Sequence, residues 1–333
     1  MMKELSMYKQ LVYLPYMTSY KQLVCGAVEL DVFSQLTEPT TAATLAERNG
    51  WNAANTENLL KGLYSIGYIK RDGDLFCNTD DANKYLVRTS SDYMGAVLQF
   101  FGDNQGMTLP NLVKEVKEGP QPNEQVEQSM DFAAYGQMMR VAQMGIRQTE
   151  LVELVRSLPE NDKIERILDL GCGAGLLGLA VMKDKEGRSG VLYDQPPMQG
   201  LIEETIAQQG MTEQASVMTG DFLKDDIGSG YDLIICSSVM LFAAMGGPAF
   251  FGKLKDALNP GGVVLCLNEG IEADHSDPWE MVVGYMTYQM QGMPMGMIKG
   301  QVKQLAGAGG FTNVENRTEL LSTGTHDVNI LRV

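Results

Sequence analysis

The sequence predicts an α/β fold, in which a Rossmann-like, largely parallel sheet has helices on both faces, ends in an antiparallel hairpin and follows a mostly helical domain. Two observations predict this fold. From residue 164 onward, short apolar runs alternate with helix-sized segments, which is typical of a parallel sheet wrapped by helices. Before residue 155, apolar residues recur instead at the three-to-four spacing of amphipathic helices.

The N-terminal part is predicted to contain helix, helix and hairpin in that order. Thr41 is placed to cap a short helix that ends at Gly50, and Asn55 is placed to cap the next helix. Asp72-Gly73 then separates two strand-like runs, as in a hairpin. This order indicates a winged helix, and further helices follow it, including residues 129–158.

The C-terminal strands are predicted from seven apolar runs. In chain order they read RILDL, GVLYD, ASVMTGD, YDLIICSSVM, GGVVLCLNE, FTNVENRTEL and HDVNILRV. The first five alternate with helical segments, which favours parallel pairing. The last two are separated by the short polar stretch LSTGT and are expected to form the terminal hairpin.

Composition excludes several classes of protein. The formal net charge of −16 repels phosphate backbones and anionic membranes, so neither nucleic acid nor a membrane is expected as a partner. The sequence has no run of about 18 apolar residues, and its polar beginning MMKELSMYKQ is not expected to act as a signal segment. The five cysteines lie far apart, which argues against disulfides and a zinc site and predicts a cytoplasmic protein without a metal.

The segment DLGCGAGLLG, residues 169–178, is the first candidate site. It follows the strand RILDL and opens a helix, so its glycine backbone can approach a ligand at a helix N-terminus. A P-loop is excluded, because Leu176-Leu177 stand where lysine and serine or threonine are needed. Two interpretations stay open at this point: a dinucleotide site of the GxGxxG type, and an S-adenosylmethionine site.

Acids at successive strand ends support a nucleoside ligand. Asp169 precedes the glycine turn, Asp194 ends the second strand of this domain, and Asp221 ends the third with Phe222 beside it. A carboxylate at the second strand end can accept both ribose hydroxyls, and an acid beside an aromatic ring suits adenine. All three would meet at the carboxyl edge of the sheet, where such folds bind ligands.

The motifs ILDLGCGAGLLGLA, VLYDQPP, GDF, YDLIICSSVMLF and ALNPGGVVLCLNE resemble those of class I S-adenosylmethionine-dependent methyltransferases. With AVELDVFSQL, TAATLAERNG and LLKGLYSIGYI before them, they are similar to the small-molecule O-methyltransferases that carry an N-terminal winged-helix dimerisation domain. The resemblance covers nearly the whole chain. It implies S-adenosylmethionine as cofactor, a homodimer, and three parts: dimerisation domain 1–115, helical connector 116–160 lining the substrate chamber, and methyltransferase domain 161–333.

The resemblance also implies residue roles at the cofactor site. The residues expected to contact or shape it are Asp169, Gly171, Gly173, Gly175, Asp194, Asp221, Phe222 and Ser237. Ser237 stands where many relatives have a lysine.

The sequence departs from the family at the usual catalytic base. Leu241 falls where relatives that deprotonate phenols often carry histidine. Of the two histidines, His275 follows the fifth strand and is the candidate base, with Glu269 as another, whereas His326 lies in the last strand and is expected to be structural.

Methionine-rich segments predict an adaptable apolar substrate chamber. Met286, Met290, Met293, Met295 and Met297 fall in a segment that Gly292, Pro294 and Gly296 are expected to make a loop. The expected substrate residues are Tyr135, Met139, Arg140, Leu241, Met290 and Met293. Arg140 could pair with a substrate carboxylate.

The sequence therefore predicts methyl transfer from S-adenosylmethionine to a small, largely apolar or aromatic molecule at a hydroxyl, by positioning and without the histidine base. Methylation at sulfur, nitrogen or carbon, and a non-methylating reaction that retains the cofactor, are the alternatives. A winged-helix regulator is disfavoured, because its expected second helix lacks a basic face.

Overall fold

A computed structural model describes residues 5–102, 109–119, 132–292 and 296–333, with the side chains of residues 101, 102, 111, 132 and 133 excepted. The chain divides into two compact units, one of residues 1–103 with 144–146 and the other of residues 104–143 with 147–333. The three-part division at residues 115 and 160 stays a prediction, because a compact unit need not coincide with a functional domain.

The first unit combines helices with a small antiparallel sheet. Its described helices are α1 (Met7–Glu29), α2 (Ala42–Asn49), α3 (Ala53–Ser65), α4 (Asp80–Leu86) and α5 (Gly95–Gly102). Its strands β1 (Thr40–Thr41), β2 (Ile69–Asp72) and β3 (Leu75–Asn78) pair in the order β1-β3-β2. Helix, helix and hairpin follow one another in the predicted order. In the described part of the chain, no helix is long and apolar enough to cross a membrane.

One of the two predicted helix caps is confirmed. Thr41 caps α2, and Gly50 ends that helix in the left-handed conformation with φ 69°. The prediction that Asn55 caps α3 is wrong, because Asn52 accepts the hydrogen bond of the Asn55 amide at 3.0 Å. The two alanines between them are good helix formers, so the helix extends back to the earlier asparagine.

The second unit holds a seven-stranded sheet and the helices that cover it. Its helices are α6 (Leu109–Glu118), α7 (Phe132–Ala142), α8 (Ile146–Arg156), α9 (Leu176–Lys183), α10 (Gln199–Gln208), α11 (Met240–Met245), α12 (Gly247–Ala257), α13 (Trp279–Met290) and α14 (Gln301–Ala308). Its strands are β4 (Arg166–Leu170), β5 (Ser189–Asp194), β6 (Ala215–Thr219), β7 (Tyr231–Ser237), β8 (Leu258–Glu269), β9 (Asn313–Leu321) and β10 (Gly324–Arg332). All seven predicted strands are confirmed.

The strand order β6-β5-β4-β7-β8-β10-β9 positions the site. Strands β4 to β8 pair in parallel, and the hairpin β9–β10 adds to β8 in antiparallel fashion. Both faces of the sheet are buried: Ile235 belongs to one apolar cluster and its neighbour Ile234 to another. The connections reverse direction at β4, so a crevice is expected at the carboxyl end of that strand.

Candidate active site

The glycine turn between β4 and α9 lies at this point of the sheet edge. Gly171, Gly173 and Gly175 have φ values of 70°, 60° and 82°, which side chains other than glycine's rarely allow. A Cβ atom on Gly171 would lie 2.3 Å from Cγ1 of Val239. The turn therefore requires glycine, and its bare backbone lets a ligand approach closely.

Two carboxylates bind this turn from different sides. Asp169 is 2% exposed, and its Oδ2 accepts a hydrogen bond from the Gly178 amide at 2.9 Å. Asp194 is half-buried; its Oδ2 accepts from the Gly173 amide and its Oδ1 from the Gln195 amide, both at 2.7 Å. Burial raises the pKa of Asp194. Asp169 thus shapes the turn from inside, whereas Asp194 lies where a ligand can reach it.

The buried Asp169 should make stability depend on pH. Burial raises its pKa from 3.8 to about 7, with a smaller contribution from the charge of Asp194. Between these two pH values the folded protein keeps a proton that the unfolded chain releases, so the free energy of unfolding falls as pH rises. Asp169→Asn cannot titrate. Between pH 5 and pH 8, the free energy of unfolding of this variant, measured in urea, should rise by about 1–3 kcal/mol relative to that of the parent. A difference that does not change with pH would contradict this.

Residues predicted at the next two strand ends reach the same sheet edge. Asp221 follows β6 and pairs with Lys224 at 2.8 Å, and the hydrogen bond from that lysine holds the pKa of Asp221 below its usual value. Phe222 packs against Phe250 with ring centroids 5.6 Å apart. Ser237 is the last residue of β7, the strand next to β4. Asp221 and Ser237 therefore lie at strand ends on the same edge of the sheet as the glycine turn.

Gln143, just after α7, was not predicted as a site residue. Its Nε2 donates to the Cys172 carbonyl at 2.8 Å, and its Oε1 accepts from the Leu176 amide at 3.2 Å. The buried side chain of Gln143 thus forms hydrogen bonds with the backbone before and after the middle of the glycine turn. A single glutamine in a helical segment gives no signal of this role in the sequence.

The three predicted substrate residues on α7 have different surroundings in the structure. A Cβ atom on Gly173 would lie 3.5 Å from Cβ of Met139, so this methionine borders the turn. Tyr135 packs against an apolar cluster of the sheet, and burial, followed by the charge of Asp194, raises its pKa. Arg140 instead donates to a threonine on α10 at 3.0 Å, so its guanidinium is directed to that helix.

The two candidate positions for a base differ in surroundings. Leu241 lies on α11 and packs against the apolar cluster on that face of the sheet. His275 is exposed in a turn after β8, with φ 58°, and its amide donates to the Glu272 carbonyl at 2.8 Å. The position of the family's histidine is thus apolar, and the candidate His275 is at the surface.

The methionine-rich segment is only partly a loop. Helix α13 continues through Met286 and Met290, because the first helix-breaking residue, Gly292, comes after them. Met297 is 1% exposed and fills the apolar core. The prediction of a loop is therefore wrong for Met286 and Met290, whereas Met297 lies outside the helices and strands, as expected for a loop. Met293 lies outside the described residues.

A polar cluster that the sequence did not predict lies at the same edge of the sheet. It consists of Arg147, Glu150, Glu269, Tyr285 and His326. The antiparallel pairing of β10 with β8 sets His326 opposite Glu269, and the Tyr285 hydroxyl donates to Oε1 of Glu269 at 2.7 Å. Glu269 was a candidate base, and here it is the hydrogen-bond partner of a tyrosine. The pairing of β10 with β8 brings Glu269 and His326 together, although they lie far apart in the sequence.

Comparisons with known proteins agree with this geometry. Residues 149–266 match the family model "Methyltransferase small domain". The chain is 25% identical over 270 residues to the 3-hydroxy-5-methyl-1-naphthoate 3-O-methyltransferase of Streptomyces sahachiroi, covering 77% of this chain and 76% of the relative. It is 22% identical to the bacteriochlorophyllide d C-20 methyltransferase of Chlorobaculum tepidum, covering 92% of this chain and 88% of that enzyme.

The fold is shared along almost the full length with solved structures. Human N-acetylserotonin methyltransferase, in complex with S-adenosylmethionine, superposes with a TM-score of 0.77 at 21% identity, covering 98% of this chain and 97% of that one. The matched domain, the similar enzymes and the shared fold agree with the class I S-adenosylmethionine-dependent methyltransferases that the sequence motifs resemble.

Proposed function

We propose that the chain transfers the methyl group of S-adenosylmethionine to a hydroxyl oxygen of a small, largely apolar or aromatic acceptor. The observation that carries this proposal is the glycine turn with Asp194 and Asp221 at adjacent strand ends, at the point where the strand order reverses. The aromatic acceptor of the Streptomyces relative supports the substrate class.

The residues present fit this cofactor. The backbone of Gly171, Gly173 and Gly175 leaves room against the turn, and Asp194 can offer its carboxylate to the ribose hydroxyls. Asp221 and Phe222 would hold the adenine, with Ser237 nearby. When bound, S-adenosylmethionine supplies a methyl group on a positively charged, strongly electrophilic sulfur.

The protein's own contribution is positioning. The packed side chain of Leu241 gives an apolar wall, which cannot stabilise a phenolate, because an unpaired buried charge is costly. Orientation of the acceptor can be worth about 7–11 kcal/mol in favourable cases. The acceptor's proton therefore passes to water before the transfer, and its oxygen attacks as the anion.

His275→Ala tests this reading of the site. Because His275 is exposed on a turn, its loss should lower kcat less than about tenfold, below the roughly 10²–10⁴-fold that a general base contributes. The measurement is steady-state methyl transfer, with S-adenosylhomocysteine affinity as the control for an intact site. A loss of about 10³-fold with unchanged affinity would show that the base has moved to this turn.

A second class of acceptor follows from the same apolar wall. Carbon, nitrogen and sulfur acceptors need no phenol-deprotonating histidine, and one similar relative is a C-20 methyltransferase. Leu241 therefore fits such acceptors as well as an acidic hydroxyl. A reaction that keeps the cofactor without methylation would show bound cofactor but no methylated product with any acceptor.

We propose that the protein is a homodimer, because α1 exposes a long apolar surface. Tyr8, Leu11, Leu14 and Tyr16 are 78%, 61%, 58% and 68% exposed. Monomers rarely leave such a patch open. Light scattering at micromolar concentration should give a dimer, and Leu11→Lys with Leu14→Lys should give a monomer. Leu320→Lys, at an 81% exposed leucine on β9, should not change the mass. A monomeric parent would contradict the proposal.

The cysteines support a cytoplasmic location. All five are free thiols, and Cys172, Cys236 and Cys266 are buried. Free thiols persist in a reducing compartment, so we place the protein in the cytoplasm.

A further inference from the structure

The β6 loop, residues 221–225, follows strand β6 and carries the two residues expected at the adenine. The amides of Lys224 and Asp225 both donate to the Asp221 carbonyl, at 2.9 and 2.7 Å. In return, the Asp221 amide donates to Oδ2 of Asp225 at 2.8 Å. The loop is thus closed as a tight turn, but it belongs to no helix or strand, so its outward carbonyls need other donors.

Lys253, on α12, supplies donors to two of these carbonyls. Its Nζ donates to the Phe222 carbonyl at 3.0 Å and to the Asp225 carbonyl at 2.9 Å. A lysine ammonium has three donors and no acceptor, so this one half-buried side chain satisfies both carbonyls. Because the donor is charged, these hydrogen bonds are stronger than those between neutral groups. Lys253 therefore fixes the β6 loop at its second residue and at its last.

Phe250, one turn earlier on α12, contacts the β6 loop through apolar atoms. Residues three apart on a helix share a face, so Phe250 and Lys253 approach the loop from the same side. The rings of Phe250 and Phe222 lie 5.6 Å apart at an interplanar angle of 54°. Phe250 is 2% exposed, whereas Phe222 is half-buried. Helix α12 thus binds Phe222 through its ring and its carbonyl, and leaves part of the ring for a ligand.

The charge of Lys253 also acts on Asp221. The hydrogen bond from Lys224 is the main cause that holds the pKa of Asp221 below its usual value, and the charge of Lys253 acts in the same direction. Oδ2 of Asp221 pairs with the exposed Lys224 at 2.8 Å, and Oδ1 accepts from the Leu223 amide at 3.0 Å. Each oxygen of an ionised carboxylate has two acceptor sites, so each keeps one for an amino group.

We propose that Lys253 is a positioning residue for the adenine of the cofactor and sets the preference for a base that carries an amino group at its six-position. This inference rests on the proposed binding of S-adenosylmethionine at Asp221 and Phe222. Lys253 acts through the β6 loop, which it keeps in the form that offers the Phe222 ring and the Asp221 carboxylate to the base. Without Lys253, the two carbonyls bond to water, and the loop loses its attachment to α12 at both of these residues.

The test compares two ligands that differ at the six-position of the base. S-adenosylhomocysteine has an amino group there, and S-inosylhomocysteine has a carbonyl oxygen, which a carboxylate repels. In calorimetry, the parent should bind S-adenosylhomocysteine about tenfold more tightly than the inosine compound. Lys253→Met should weaken S-adenosylhomocysteine binding about fivefold and lower this affinity ratio to about two. Lys253→Arg, which keeps a cation with several donors, should retain most of the parent's ratio.

The controls separate a positioning role from support of the fold alone. Lys255→Met removes a lysine further along α12 whose Nζ would lie 3.1 Å from a Cβ atom on Gly310, and it should change neither affinity. Asp221→Asn alters the expected contact with the base and should lower the affinity ratio as Lys253→Met does. If Lys253→Met does not fold, Lys253→Gln, with a shorter and neutral side chain, takes its place with the same expected pattern.

Two outcomes would overturn the inference. One is a Lys253→Met protein that is less stable in urea but keeps the parent's affinity ratio, because the lysine would then only support the fold. The other is a parent that binds both ligands equally, because the β6 loop would then not recognise the amino group. A parent that does not bind S-adenosylhomocysteine would instead contradict the proposed function.

Discussion

Gly171→Ala should lower the affinity for S-adenosylhomocysteine at least a hundredfold, or about 2.7 kcal/mol. The φ of 70° at this position costs an alanine about 1–2 kcal/mol. Its Cβ atom would also lie 2.3 Å from Cγ1 of Val239, a stiff β-branched side chain, so the turn must shift at an additional cost of about 1–3 kcal/mol. Calorimetry measures the affinity, and urea unfolding should show a loss of about 2–5 kcal/mol.

Gly187→Ala is the matched control for this change. Gly187 has φ 88°, and a Cβ atom there would meet nothing within 4 Å. It should lose about 1–2 kcal/mol of stability from backbone strain alone and keep the parent affinity. If Gly171→Ala folds and binds S-adenosylhomocysteine within threefold of the parent, the glycine turn does not hold the cofactor.

Asp194→Ala should reduce the affinity for S-adenosylhomocysteine at least tenfold. The half-buried carboxylate lies at the turn, and each hydrogen bond from a ribose hydroxyl to a charged group is worth about 1.5–3 kcal/mol. Asp194→Asn keeps one acceptor oxygen and should retain part of the affinity. The measurement is calorimetric titration of the three proteins at pH 7.

The loss of a turn cap must be separated from the loss of a ligand contact. Asp226 is an exposed aspartate that also bonds a backbone amide, since its Oδ1 accepts from the Gly228 amide at 2.9 Å. Asp226→Ala should therefore show a comparable small loss of stability with unchanged affinity. Unchanged affinity of Asp194→Ala for S-adenosylhomocysteine would show that this residue does not bind the ribose.

Most of the fold could be predicted from local sequence patterns. Alternating apolar runs and helical segments carry the information for β4 to β8, because both faces of a parallel sheet need apolar residues. The glycine turn was predictable for a different reason, since its left-handed backbone conformation favours glycine. The start of α3 and the end of α13 could not be predicted correctly, because the ends of helices depend on single capping and helix-breaking residues.

The polar cluster could not be predicted, because its members are distant in the sequence. Arg147 lies on α8, and His326 and Glu269 meet only through the register between β10 and β8. A slip of that register by one residue would turn His326 to the other face of the sheet. No spacing rule covers such a pair, and His326 was expected to be structural because it lies in the last strand.

The pH dependence of methyl transfer across acceptors of different acidity tests the central claim most directly. The claim is that no side chain acts as general base, so the acceptor's own ionisation limits the rate. For a series of naphthols with graded pKa values, the inflection in kcat/KM should move with the acceptor. An inflection that stays at one pH near neutrality for every acceptor, and disappears in His275→Ala, would contradict the account.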